Sequence, residues 1–182
     1  MIFGYVLFAY SNDKSMFKDL ILNKCDKYSD IYTINRVSPS FKLKTQKPIS
    51  TTHDHFTIVS EDFKNFCLNE NYTGLEFVNL PSAPGFYWFK IHNTILLNPE
   101  DKGIRFINFN SDCNGYEEII GATPAYLKIE EKISDGFFRS DICFGSYETK
   151  TPLKIIGIET MEKLKKKGFK GIYGSEIKPI YE

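Results

Sequence analysis

The sequence has no excess of charge of either sign. Its 182 residues include 23 Lys and Arg against 23 Asp and Glu, so the formal net charge is zero. A protein that coats nucleic acid needs a strong positive field, and this balance argues against nucleic acid as a partner. Because 42% of the residues are hydrophobic, the chain can bury enough apolar surface to offset its conformational entropy, which disfavours disorder.

Long hydrophobic runs are lacking as well. The longest, residues 2–10, is about half of the ~20 residues that a membrane-spanning helix needs. It also lacks the basic start and the small-residue cleavage pattern of a signal peptide. We therefore expect no membrane partner. The aromatic and β-branched residues of this run favour a buried β-strand instead.

Cysteine is scarce and unpatterned. The four cysteines are Cys25, Cys67, Cys113 and Cys143, and no two of them form a CxxC pair. An even number would allow two disulfides, but a chain of this size does not need them to fold. We therefore expect reduced thiols and a cytoplasmic protein.

Standard catalytic signatures are missing. The sequence contains no phosphate-binding glycine loop, no nucleophile elbow and no HExxH motif, and it predicts no cofactor. The most metal-like residues are His53 and His55, which would point the same way on a strand and could chelate a divalent ion. His92 is the only other histidine. A small metal-dependent hydrolase built on these three histidines is an alternative function, whereas the plainer interpretation of residues 53–55 is a polar strand entrance.

Two segments share one pattern of strand, helix and strand. Residues 56–75 and 153–172 align without a gap at an offset of 97. Ser60 and Gly157 suit helix N-caps, and the following helices carry apolar stripes. Gly168 and its counterpart Asn71 stand where each helix would end in the left-handed conformation. Duplication and coincidence explain this similarity equally well.

The region between these units is rich in strand signals. Residues 86–92 alternate, so the odd-numbered side chains would face a core while Trp88, Lys90 and His92 share the other face. Tryptophan is enriched among binding hot spots, which makes these three residues the candidate partner-binding patch. In the alternative interpretation the strand is covered on both faces and Trp88 belongs to the core.

The remaining pattern is less regular. A helix is expected within 13–27, a second strand at 31–37, an exposed loop at 38–52, and short strands at 94–97, 104–108, 126–129, 137–139 and 142–144. The whole chain, 1–182, therefore reads as one compact α+β domain. It would have a mixed β-sheet core, two strand–helix–strand units and a β-rich middle, and residues 1–50 form an N-terminal subregion.

Several landmarks together resemble a known group of proteins. They are the segments 56–63, 72–77, 85–88 and 136–139, followed by Ile155, Ile156, Leu164 and the segment 168–172. In this combination the chain resembles the predicted immunity proteins of bacterial polymorphic toxin systems, especially the family numbered eleven and more distantly the family numbered forty-three. The resemblance spans residues 50–182.

This resemblance implies an α+β, non-enzymatic cytoplasmic protein that binds and neutralises a cognate toxin. It carries over no catalytic residue. The terminal segment reads Gly171-Ile172-Tyr173-Gly174, where the family more often continues with an apolar strand and a proline, so the pairing of the last strand stays open. An interaction module unrelated to toxins is the further alternative.

Overall fold

A mixed β-sheet organises the fold. The structure, a computed structural model, describes residues 2–12, 14–16, 24–25, 28, 31–34, 37–97, 103–122, 132–147 and 150–177. The strands are β1 (Gly4–Asn12), β2 (Ile49–Thr52), β3 (Thr57–Ser60), β4 (Leu75–Asn79), β5 (Phe86–Ile91), β6 (Thr94–Ile95), β7 (Arg105–Asn110), β8 (Gly115–Ile120), β9 (Phe137–Ser146), β10 (Thr151–Ile156) and β11 (Ile172–Ile177). The helices are α1 (Ile31–Ile34), α2 (Glu61–Asn69) and α3 (Ile158–Lys167).

The strand order confirms the predicted α+β class and its mixed sheet. The order is β4-β5-β3-β2-β1-β10-β9-β8-β7, with β11 paired to β1 and β6 paired to β9. The β1–β2 and β6–β9 pairs are parallel and the other pairs are antiparallel. The last strand, whose pairing the sequence left open, joins β1 along Gly4–Ala9.

The sheet curves back on itself. The strand β6 follows β5 along the chain and pairs with β9, although β3, β2, β1 and β10 separate β5 from β9 in the strand order. Although four strands separate β5 from β9 in the strand order, the rings of Phe89 on β5 and Phe137 on β9 lie only 5.6 Å apart between centroids. The face that these two rings share is therefore concave.

Both predicted strand–helix–strand units are confirmed. The Ser60 hydroxyl accepts the Phe63 N–H at 3.3 Å and caps α2, while Gly157 caps α3 without a side chain. At the helix ends Asn71 and Gly168 have φ of 57° and 77°, the left-handed conformation expected for these residue types. Local sequence signals alone therefore determine where these units begin and end.

The two helices share one core on the concave face. Buried members of this helix-covered core are Leu7, Ile49, Val59, Phe63, Phe66, Cys67, Tyr87, Phe89, Ile91, Phe137, Ile156, Met161 and Leu164. Phe63 of α2 lies 5.4 Å from Phe169, which follows α3, and 6.0 Å from Phe137. The predicted stripe of α2 is confirmed, and in α3 Met161 and Leu164 are buried whereas Ile158 is only half-buried.

A polar cluster around Asp135 ties the two units together. Its carboxylate accepts hydrogen bonds from Tyr72 Oη at 3.0 Å, Thr160 Oγ1 at 2.6 Å and Lys163 Nζ at 2.7 Å. Burial alone would raise the pKa of Asp135, but these hydrogen bonds outweigh burial and lower it. Lys163 also lies 3.2 Å from Glu70 at the end of α2, so α3 is held to the first unit by charge as well as by packing.

The opposite face of β3 and β5 is covered by a second core. Its buried residues are Met16, Ile31, Phe41, Phe56, Ile58, Leu80, Ala83 and Trp88. Met16, Ile31 and Phe41 come from the N-terminal subregion. Residues 1–50 therefore supply the cover for this face.

Some local predictions were wrong. The strand expected at 31–37 is instead the single helical turn α1, and the loop expected at 38–52 ends in the strand β2. The residues of β2 carry no alternating pattern and form a strand because β1 and β3 pair with them. The two strands expected at 137–139 and 142–144 are one strand, β9. The strand expected at 126–129 and most of the helix expected within 13–27 lie outside the described residues.

The expectation of reduced thiols is also wrong, because Cys25 and Cys113 form a disulfide. The cysteines meet because the β7–β8 turn packs on the N-terminal subregion. Lys24 and Asp112 form an ion pair at 3.2 Å, and a Cβ at Gly115 would lie 2.9 Å from the Tyr28 backbone oxygen. Only a glycine permits this approach.

Thiol counting checks this pairing. Alkylation of the denatured protein without reduction should modify two of the four cysteines, Cys67 and Cys143, which are outside the disulfide. After reduction all four should react, and intact-mass spectrometry distinguishes the two results. Four modified cysteines before reduction, in protein kept under oxidising conditions, would contradict the pairing.

Candidate functional site

The candidate patch on β5 lies mostly inside the protein. Alternation along β5 is confirmed, but Trp88 is 0% exposed and Lys90 is 3% exposed because the second core covers their face. Trp88 packs 4.7 Å from Phe56 and 6.1 Å from Tyr32 between ring centroids. The prediction of a binding role for Trp88 and Lys90 is therefore corrected: neither can touch a partner in this structure. His92 is the exposed member of the three.

The charged and polar groups at the end of this strand contact neighbouring groups, whereas the buried Trp88 Nε1 has no hydrogen-bond partner among the described residues. Glu76 on β4 lies 2.8 Å from His92 Nε2 and 3.7 Å from Lys90 Nζ. The Lys90 ammonium stands 4.1 Å from the centroid of the Trp88 ring, a cation–π contact that stabilises a charge removed from water. The Tyr32 hydroxyl accepts the Ile91 N–H at 3.3 Å. These contacts hold the C-terminal end of β5 in place. His92, directly after that end, remains exposed.

The histidines of the alternative metal-dependent function are not arranged to bind a metal. His53 and Asp54 lie in the turn between β2 and β3, not on a strand, and His55 follows with a left-handed φ of 67°. Asp54 is buried and accepts the Met16 N–H at 2.9 Å, while His92 contacts Glu76 instead. Among the described residues, which include all three histidines, no group of three or more potential ligands could hold a metal ion.

Removal from water also shifts the pKa values of His55 and Cys67. Partial desolvation lowers the pKa of His55, although the side chain remains exposed on one side, and the nearby Lys154 ammonium lowers the pKa further. Burial raises the pKa of the Cys67 thiol far above its usual value, so this cysteine stays protonated and unreactive at neutral pH.

A surface that the sequence did not indicate lies on the β7–β8 hairpin. Phe106 and Phe109 on β7 are 38% and 55% exposed, and each ring lies 5.0 Å from the ring of Tyr116 on β8. Strand alternation would place residues 106 and 109 on opposite faces. Asn108 interrupts that alternation with a left-handed φ of 53° and donates a hydrogen bond to Glu117 at 2.8 Å. We call Phe106, Phe109 and Tyr116 the hairpin aromatic surface.

The hairpin stands at one end of the strand order and is fastened at its tip. The strand β7 pairs with β8, and no other strand among the described residues pairs with it. The β8–β9 pairing is restricted to Glu118↔Ser146 and Ile119↔Gly145, whereas the Cys25–Cys113 disulfide holds the tip to the N-terminal subregion. The disulfide therefore fixes the position of the hairpin aromatic surface.

The described helices are all too short or too polar to cross a lipid bilayer. Comparison with protein-family models, with curated proteins and with solved structures finds no match to the chain. The resemblance to immunity proteins therefore rests on the residues of this sequence alone.

Proposed function

We propose that this protein is a non-enzymatic immunity protein that binds and neutralises a cognate bacterial toxin. The observation that supports this proposal is the hairpin aromatic surface, in which the exposed rings of Phe106 and Phe109 pack on the half-buried Tyr116 of the neighbouring strand. A disulfide holds the tip of this hairpin in place. Exposed aromatic residues fixed on a rigid element are typical anchors of protein interfaces. The resemblance of residues 50–182 supplies the class of partner.

The charge balance fits recognition by a local patch. With a net charge of zero, the protein has no global field to steer a partner, so affinity would come from short-range packing. An inhibitor of ordinary size would cover about 800 Å² on each partner. Among the described strands only β8 pairs with β7, so the other edge of β7 offers backbone groups with which a strand of the toxin would pair. The toxin would thus meet both aromatic side chains and an open sheet edge.

The cytoplasmic location belongs to the same proposal, since the toxin would be met there. Disulfides are rare in the reducing cytoplasm, so the Cys25–Cys113 pair favours an oxidising compartment instead. Alkylating cells before lysis decides between the two. Reduced Cys25 and Cys113 would support the cytoplasm, and a trapped disulfide would support export of the protein.

Co-purification tests the proposed partner. If the adjacent gene encodes the toxin, its product, carrying an inactivating mutation, should co-purify with this protein in a fixed stoichiometry. A toxin from an unrelated system serves as the control and should not be retained. Absence of a complex with the adjacent toxin would contradict the proposal for that partner. A stable complex with some other protein would favour the unrelated interaction module.

Phe109→Ser tests the surface itself. Phe109 is exposed, so we expect the free energy of unfolding to change by only ~0.5 kcal/mol. If Phe109 anchors the interface, its truncation should weaken toxin binding by about 30-fold or more, which corresponds to the ~2 kcal/mol of a hot spot. Isothermal titration calorimetry measures both affinities.

Leu68→Ser is the matched control for that variant. Leu68 is 53% exposed, close to the 55% of Phe109, but lies on α2. Its toxin affinity should equal that of the unmodified protein. Equal affinity for all three proteins would remove the hairpin aromatic surface from the interface.

A further inference from the structure

Three polar side chains continue the concave face beyond its apolar core. Each lies two positions along its strand from a core residue and therefore on the same face: Thr57 from Val59, Arg139 from Phe137, and Lys154 from Ile156. The pairs β9–β10, β10–β1 and β2–β3 are antiparallel, and the pair β1–β2 is parallel. With these strand directions, Thr57, Arg139 and Lys154 all lie toward the same end of the concave face. Beyond the helix-covered core, this end of the concave face is therefore polar and carries the cations Arg139 and Lys154.

The two cations face each other directly. Arg139 on β9 and Lys154 on β10 are cross-strand partners, and like charges in this position repel. The Arg139 guanidinium lies 5.0 Å from the centroid of the Tyr32 ring. Among the described residues no hydrogen bond or ion pair engages the Lys154 ammonium, and burial lowers its pKa to about 8. The fold therefore brings a desolvated ammonium group beside a guanidinium group.

Two further groups extend this cluster. His55 is exposed and lies near enough to Lys154 for the two charges to interact. Thr57 is buried at 2% exposure, and its hydroxyl has no hydrogen-bond partner among the described residues. A buried hydroxyl without a partner is costly, and this one lies on the same face and toward the same end as Lys154.

Two carboxylates that are close to the cluster in sequence bind backbone groups. Asp54, beside His55, accepts the Met16 N–H at 2.9 Å. Asp141, two positions after Arg139, accepts the Leu97 N–H at 2.8 Å. Neither contact brings a carboxylate to Lys154, whose charge is not balanced by a described acidic residue.

We propose that Arg139, Lys154, His55 and Thr57 form a binding site for a small phosphate group, either inorganic phosphate or a phosphate monoester. An oxyanion between the guanidinium and ammonium groups replaces their repulsion with two charge-assisted hydrogen bonds. The Thr57 hydroxyl supplies a neutral donor to a further oxygen, and His55 marks the side open to solvent. The site is separate from the hairpin aromatic surface and does not depend on the proposed toxin.

Calorimetric titration tests the site. At pH 7 and constant ionic strength, inorganic phosphate and methyl phosphate are titrated separately, with sodium chloride as the reference salt. We expect saturable binding of one or both phosphates. Lys154→Met should weaken it at least tenfold, because the ammonium is lost while the apolar stem is kept. Lys167→Met, which removes an exposed lysine at the end of α3, should leave it unchanged.

Thr57→Val tests the proposed phosphate site independently, even if Lys154→Met does not fold. Valine has the shape of threonine, and the hydroxyl it replaces has no partner in the described part of the protein, so the variant should fold normally. We expect phosphate binding to weaken by about three- to tenfold. Absence of saturable phosphate binding beyond that of chloride would overturn the proposal. Unchanged affinity in Thr57→Val or in folded Lys154→Met would overturn it as well.

Discussion

Replacing Trp88 with alanine should lower the free energy of unfolding by about 3–5 kcal/mol. The indole is fully buried, packs 4.7 Å from the Phe56 ring and lies under the Lys90 ammonium. Truncation removes this packing, opens a cavity in the second core and deprives the buried Lys90 charge of its aromatic partner. Urea unfolding followed by circular dichroism measures the loss, since Trp88 is the sole tryptophan and its fluorescence disappears in the variant.

Trp88→Phe is the control for that measurement. Phenylalanine keeps an aromatic ring in the cavity, so the cost should be about 1–2 kcal/mol. The folded fraction of both variants should bind the toxin as tightly as the unmodified protein, because Trp88 is not at the surface. A cost below ~1 kcal/mol for Trp88→Ala, together with weakened toxin binding, would restore Trp88 to the interface.

Phe63→Ala should cost a similar ~3–5 kcal/mol, for a different reason. The Phe63 ring contacts Phe89 at 5.6 Å, Phe137 at 6.0 Å and Phe169 at 5.4 Å between centroids. It therefore joins α2, the sheet and the segment after α3. Because both strand–helix–strand units share this core, we expect the whole chain to unfold in one transition at a lower urea concentration.

The control on the same helix is Leu68→Ala. Leu68 is exposed, and its truncation should change stability by no more than ~0.5 kcal/mol. Two separate transitions in the Phe63→Ala protein would contradict a single domain over residues 1–182. A cost no larger than that of Leu68→Ala would contradict the shared core.

The confirmed predictions rest on local signals. Ser60 caps a helix because its hydroxyl reaches an N–H three residues away, and Gly168 ends one because glycine tolerates a positive φ. Alternation likewise showed which residues of β5 share a face. Such signals operate within a few residues and are therefore visible in the sequence.

The failed predictions depend on distant partners. The alternation of β5 leaves open whether Trp88 faces solvent or core, because no local pattern shows that Met16 and Phe41 cover its face. The Cys25–Cys113 bond joins residues 88 positions apart, and the spacing of four cysteines does not specify a pairing. The strand β2 exists because its neighbours pair with it.

The candidate sites were hidden for the same reason. The left-handed Asn108 brings Phe106 and Phe109 to one aromatic cluster, against the alternation of an ordinary strand. Arg139 and Lys154 face each other through the register of β9 and β10, across a break in register after Pro152. Neither arrangement has a counterpart in the spacing of residues along the chain.

Growth of cells that express the proposed toxin partner tests the central claim most directly. Cells are compared with an empty vector, with this protein, with Phe109→Ser and with Leu68→Ser, each produced at the same level. We predict that the unmodified protein and Leu68→Ser restore growth, whereas Phe109→Ser restores little or none. Equal killing with and without this protein would contradict its role as the immunity protein for that toxin.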